Sequence, residues 1–138
     1  MTTHPQILQT VIDTTDVRGL AEFYRELLGL TYRPGDEPGQ GGDDADALDW
    51  LVLRDSEGRN RLAFQQVERL EPTTWPSPDV PMQLHLDLTV PDTAELEEQR
   101  RRAESLGAQV VMDRSDDEEE PLYVFRDPSG HPFCIFVA

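Results

Sequence analysis

Apolar and polar positions alternate through this chain in two rhythms, and each change of rhythm marks an element. Residues 7–13 read as a strand. From Asp16 onward, Leu20, Phe23, Tyr24, Leu27 and Leu28 recur at spacings of three and four, the period of one helix face. Leu28-Gly29-Leu30 is a glycine-closed helix end. Three short apolar runs follow and are expected as strands at 31–33, 50–54 and 61–67.

The same order then repeats. Residues 84–89 form a strand in which Leu84, Leu86 and Leu88 alternate with Gln83, His85, Asp87 and Thr89, which places the two sets on opposite faces. The leucines are expected to pack under a helix. Asp92 followed three residues later by Glu95 is a capping-box-like pair. It opens a helix with Leu96, Ala103 and Leu106 inward, Glu97, Glu98, Arg101 and Arg102 in water, and a stop at Gly107. Strands are then expected at 109–113, 122–126 and 132–137. Asp55-Ser56-Glu57-Gly58 and Asp127-Pro128-Ser129-Gly130 have type I turn composition and join the last two strands of each copy.

Asp16 thus recurs as Asp92, Gly29 as Gly107 and Gly58 as Gly130. Self-similarity over this distance predicts two tandem βαβββ modules, at about 7–67 and 82–137, with a working site between the halves. A stiff linker at about 71–81, holding four prolines and Trp75, separates them. The fold class is α+β, and 138 residues suit a single domain spanning 1–138 with a sizeable core.

Composition narrows the function classes. The net charge is −16, from 28 acidic residues and 12 basic ones, all of them arginine. A field of that sign repels phosphate backbones and argues against nucleic-acid binding. Much of the acidity falls in two segments, 35–49 and 113–120, at equivalent places between helix and second strand. The first, rich in Pro, Gly and Asp, is expected as a mobile loop. No apolar run approaches the roughly 20 residues of a bilayer span, and no basic, apolar leader opens the chain. A lone cysteine, Cys134, leaves no internal disulfide framework. A cytoplasmic protein without a membrane partner is the resulting expectation.

The strings FYRELLGL, QLHLDLTV and RDPSGHPFCIF, set in a doubled βαβββ unit, resemble the vicinal oxygen chelate superfamily, in particular its glyoxalase-like domain proteins. Glyoxalase I, extradiol dioxygenases and bleomycin-type resistance proteins belong to it. The resemblance covers about 7–137. It implies a cup-shaped, partly closed mixed β-sheet with helices outside, and a homodimer. Its metal enzymes take one ligand from the first and one from the last strand of each module. Those positions are Gln9 and Ala63 (or Leu62) in module one, and His85 and Cys134 in module two. The family pattern expects carboxylates at both last-strand positions, and this chain has none there.

The residues themselves leave several readings open. His85 suits metal coordination, general base catalysis or ligand recognition, and equally a hydrogen-bonded polar position without chemistry. Asp87, on the same face, suits holding His85, receiving a ligand cation or pairing with an arginine. Cys134 is a potential zinc thiolate or a small apolar filler. Gln9 offers an amide oxygen. Trp50, Gln65 and Phe136 fall near the cup by parity and alignment, and are equally suited to plain core packing; an aromatic wall with a few polar groups is what small-molecule pockets need.

The expectation is a glyoxalase/bleomycin resistance-like protein that binds a small organic molecule in the cup through Gln9, Trp50, Gln65, His85, Asp87, Cys134 and Phe136, without the usual complete metal site. The alternative is a metal-dependent lyase, isomerase or dioxygenase using a divalent metal on His85, Gln9 and Cys134. The sequence leaves catalysis and ligand identity open.

Overall fold

A computed structural model of the chain describes residues 4–39 and 48–138. Two compact units meet in the chain between Leu70 and Glu71. Each is a βαβββ module with a four-stranded mixed sheet, so the α+β class and the doubled motif are both present.

The first module runs β1 (Thr10–Thr14), α1 (Val17–Leu28), β2 (Thr31–Tyr32), β3 (Trp50–Arg54) and β4 (Asn60–Gln66). The sheet order is β1-β4-β3-β2. β1 lies parallel to β4, and the other pairs are antiparallel. Asp16 opens α1 by accepting a hydrogen bond from the Gly19 N–H at 3.0 Å. Gly29 closes it in the left-handed conformation (φ +67°) that costs glycine least. The inward stripe of α1, with Leu20, Ala21, Tyr24 and Leu27 all buried, lies on the sheet face carrying Leu51, Leu53, Leu62 and Phe64. The Tyr24 ring stacks on Phe64 at 5.9 Å.

The second module repeats this with β5 (Leu86–Val90), α2 (Thr93–Ser105), β6 (Gln109–Arg114), β7 (Leu122–Arg126) and β8 (Pro132–Val137), in the order β5-β8-β7-β6. Asp92 caps α2 through the Glu95 N–H at 2.8 Å. Leu96 and Ala103 are buried, and Phe125 and Phe133 stack at 4.9 Å and 11° between rings. Both turns form as expected, with the Gly58 N–H on the Asp55 carbonyl and the Gly130 N–H on the Asp127 carbonyl.

The first strand of each module is shorter than its apolar run. β1 begins at Thr10, not at residue 7, and Ile7 and Leu8 are 94% and 65% exposed. β5 begins at Leu86, and Leu84, expected beneath the helix, is 75% exposed. The reason is the partner strand. Extending the β1–β4 and β5–β8 registers would set Ile7 beside Arg59 and Leu84 beside His131, both in the turns that precede β4 and β8. A strand needs a ladder, and there the ladder has ended.

Residues 40–47, within the loop expected at 35–49, lie outside the described residues. The start of that segment is tied down. Asp36 accepts from the Val52 N–H at 2.9 Å and pairs with Arg33 at 3.2 Å, while its carbonyl accepts from Arg18 at 2.7 Å.

Arg18 also lies over the Tyr32 ring at 5.0 Å, and the Tyr32 hydroxyl donates to Glu22 at 2.7 Å. Burial, and then the hydrogen bond to Glu22, push the Tyr32 hydroxyl up to about 12. The neutral phenol is therefore favoured by folding. Its stabilisation is complete below the ordinary tyrosine value of about 10 and is lost as pH rises through 12. Urea unfolding across that window should show the wild type losing about 2 kcal/mol more than Tyr32→Phe; equal losses would contradict the arrangement.

Candidate functional site

In each sheet one face is covered by its helix, and alternate residues project from the other. In the second module that helix-free face carries Asp87 and Thr89 from β5, Cys134 and Phe136 from β8, and Leu122, Val124 and Arg126 from β7. His85 stands just before β5, two residues from Asp87 and on the same face.

Register brings the polar residues together. Asp87 pairs with Cys134 in the parallel β5–β8 ladder. His85 Nε2 is 3.2 Å from Asp87 Oδ1, with both side chains in contact with solvent. Cys134 is half-buried. Burial first, and then the charge of Asp87 and a hydrogen bond to its side chain, push the thiol up to about 11. It is a neutral thiol at physiological pH, and Asp87 is its polar partner. Apolar groups border the trio on β7 and further along β8: Cys134 is paired with Val124, and Phe136 with Leu122.

The first module has the same geometry with different chemistry. Val11 pairs with Ala63 in the β1–β4 ladder, as Asp87 pairs with Cys134 in β5–β8. Gln9 occupies the place that His85 has in module two, and its Oε1 accepts from Asn60 Nδ2 at 2.9 Å. Trp50 and Gln65 pair across β3 and β4 on the helix-free face, Trp50 partly covered and Gln65 exposed. Of the seven residues predicted as ligand-binding, His85, Asp87, Cys134 and Phe136 share one face of the second module, while Gln9, Trp50 and Gln65 belong to the first.

Sequence reasoning missed two features of this face. The first is the contact between Asp87 and Cys134, which depends on a register between strands far apart in the chain. The second is Arg126. Its guanidinium donates to the Trp75 carbonyl at 3.1 Å, and its buried Nε has no hydrogen-bond partner among the described residues. The strand parity of 122–126 was the signal that could have placed it there.

The family model for the glyoxalase-like domain matches residues 9–136, and the chain belongs to that family. With it, the chain is a member of the vicinal oxygen chelate superfamily. Among solved structures, it is similar to a glyoxalase/bleomycin resistance protein/dioxygenase family enzyme from Burkholderia phytofirmans PsJN, at 15% identity and a TM-score of 0.67, over 94% of this chain and 96% of that one. It is also similar to lactoylglutathione lyase from Agrobacterium tumefaciens (20% identity, TM-score 0.60, 99% and 96% covered). A third is the fosfomycin resistance protein FosX from Mesorhizobium loti (14%, 0.63, 100% and 94%). At these identities the likeness establishes the fold. No curated protein matches the chain.

The superfamily's shared metal site asks for four donors, one at each first and last strand. By the resemblance those positions fall on Gln9, Ala63 (or the equally apolar Leu62), His85 and Cys134. Ala63 is a methyl group, and Gln9 is already engaged by Asn60. Hard divalent ions take oxygen ligands, carboxylates above all, and these four positions supply one amide and no carboxylate. This donor set does not fit them.

Proposed function

We propose that this protein binds a small organic molecule on the helix-free face of its second module, and that binding or sequestration requires no shared four-donor metal site. The observation that carries the reading is the trio His85, Asp87 and Cys134, gathered by the β5–β8 register and bordered by Phe136, Leu122 and Val124. A few fixed polar groups among aromatic and aliphatic walls is the composition of small-molecule sites. Phe136 supplies a flat apolar surface, His85 and Asp87 supply a donor and an acceptor, and the neutral Cys134 thiol adds a soft apolar contact.

The ligand class follows from that surface: a partly aromatic or aliphatic molecule with one or two polar groups. The names of the similar structures, which include a bleomycin resistance family enzyme and a fosfomycin resistance protein, make antibiotics a sensible part of a ligand panel. Thermal-shift screening against hydrophobic metabolites and antibiotics should yield a compound that raises Tm. The shift should vanish in Phe136→Ala and His85→Ala. A panel without a stabilising compound, or a shift that survives both substitutions, would contradict the proposal.

A further inference from the structure

The disagreement between this chain and the shared metal site has a second side. Module one offers no donor beside Ala63, whereas module two carries one donor, Asp87, beyond the shared positions. Asp87 stands beside Cys134 in the ladder. One donor atom each from His85, Asp87 and Cys134 lie within 4.8 Å of one another. Asp87 is not a position that the shared four-strand arrangement uses; its counterpart in module one is Val11.

The geometry points to a zinc site built by the second module alone, with His85, Asp87 and Cys134 as its three protein ligands. A nitrogen, an oxygen and a sulfur donor together suit a borderline-soft cation, whereas magnesium and calcium select all-oxygen sites. Zinc bonds of about 2.0–2.3 Å bring neighbouring donors to roughly 3.5 Å of each other. The His85–Asp87 pair already meets that spacing at 3.2 Å. Cys134 sits on a strand interior and is the fixed member, while the partly exposed His85 ring and Asp87 carboxylate can rotate towards it. On binding, the sulfur–zinc bond forms as the thiol proton leaves to solvent, so uptake releases one proton. Three protein ligands leave a fourth position open for water or for a donor atom of a bound molecule. The site stands on these three side chains and does not depend on the small-molecule reading.

The test uses the full chain after chelator treatment, with zinc measured by calorimetry and cobalt by absorption. One equivalent of zinc per chain is expected. Cobalt should develop a near-ultraviolet thiolate charge-transfer band that disappears in Cys134→Ser. His85→Ala and Asp87→Ala should each weaken zinc binding by about tenfold or more, and Gln9→Ala should leave it unchanged. Circular dichroism verifies that each variant is folded, and Asp87→Asn replaces any variant that is not. Absence of a zinc equivalent overturns the inference. So does zinc binding that survives Cys134→Ser, which would place the cation on the acidic surface, or a loss in Gln9→Ala as large as that in Asp87→Ala.

Discussion

Replacing Phe133 by alanine should cost about 3–5 kcal/mol of folding stability, the range for emptying an aromatic site in a packed core. Phe133 is fully buried in β8, and its ring lies flat on Phe125 at 4.9 Å. Nothing nearby can collapse into the space without moving a strand that pairs on both sides, with β5 and with β7. Part of the loss is the ring–ring contact itself, about 0.5–1.5 kcal/mol beyond the buried area. Phe136 provides the control. It sits three positions on, projects from the opposite face and is only half-buried, so Phe136→Ala should cost about 1 kcal/mol. Urea denaturation of the two variants reads the difference directly. Equal costs would mean that β8 does not present its residues to two different environments, and the placement of Cys134 would fall with it.

Gly130→Ala should be the more damaging of two chemically identical substitutions. Gly58 and Gly130 both end an Asp-initiated turn, with φ of +77° and +93°, where a Cβ is strained. Around Gly58 there is open space, and Gly58→Ala should cost about 1 kcal/mol. At Gly130 a Cβ would fall 2.4 Å from Pro72 Cβ and 3.1 Å from its Cα. Pro72 is a rigid ring whose backbone cannot swing aside, so the turn or the segment around it must move. Overpacking of about 1–3 kcal/mol adds to the backbone strain of about 1 kcal/mol that Gly58→Ala carries alone, and a total of about 2–4 kcal/mol is expected. Comparing the two variants by thermal unfolding isolates the contact with Pro72. Matching Tm losses would show that Pro72 does not sit against the turn.

Pro72 belongs to the proline-rich segment that reads, in sequence, as a linker. The structure assigns it to the second unit, where Thr73 is buried and Trp75 accepts a hydrogen bond from Arg126. Proline content signals stiffness and a shortage of backbone donors, but it is silent about what the stiff piece leans on.

Elsewhere, legibility followed the range of the forces involved. Capping is local, so Asp16 and Asp92 were readable as helix starts and Gly29 as a helix end. β3, β7 and β8 have the limits that their apolar runs predict, because each is paired along its whole length. The first strand of each module was overextended: Ile7 and Leu84 are apolar and exposed but lie beyond the partner strand's start. An apolar run predicts a strand only as far as a partner continues. Parity placed His85 and Asp87 on one face, and the family resemblance set Cys134 and Ala63 (or Leu62) at the last-strand positions; the registers put Cys134 beside Asp87 and Ala63 beside Val11. What parity cannot provide is which residue of a distant strand stands opposite. The Asp87–Cys134 pair, and with it the thiol held well above its ordinary range, became visible only in the ladder.

Amide chemical-shift mapping tests most directly the proposal that the helix-free face of the second module binds the ligand. A compound that stabilises the protein, titrated into isotope-labelled chain, should perturb Asp87, Val124, Cys134 and Phe136 and leave the outer face of α2 around Glu98 and Arg101 unmoved. Perturbations centred on α2, or a saturating complex in which Asp87 and Cys134 do not shift, would contradict it.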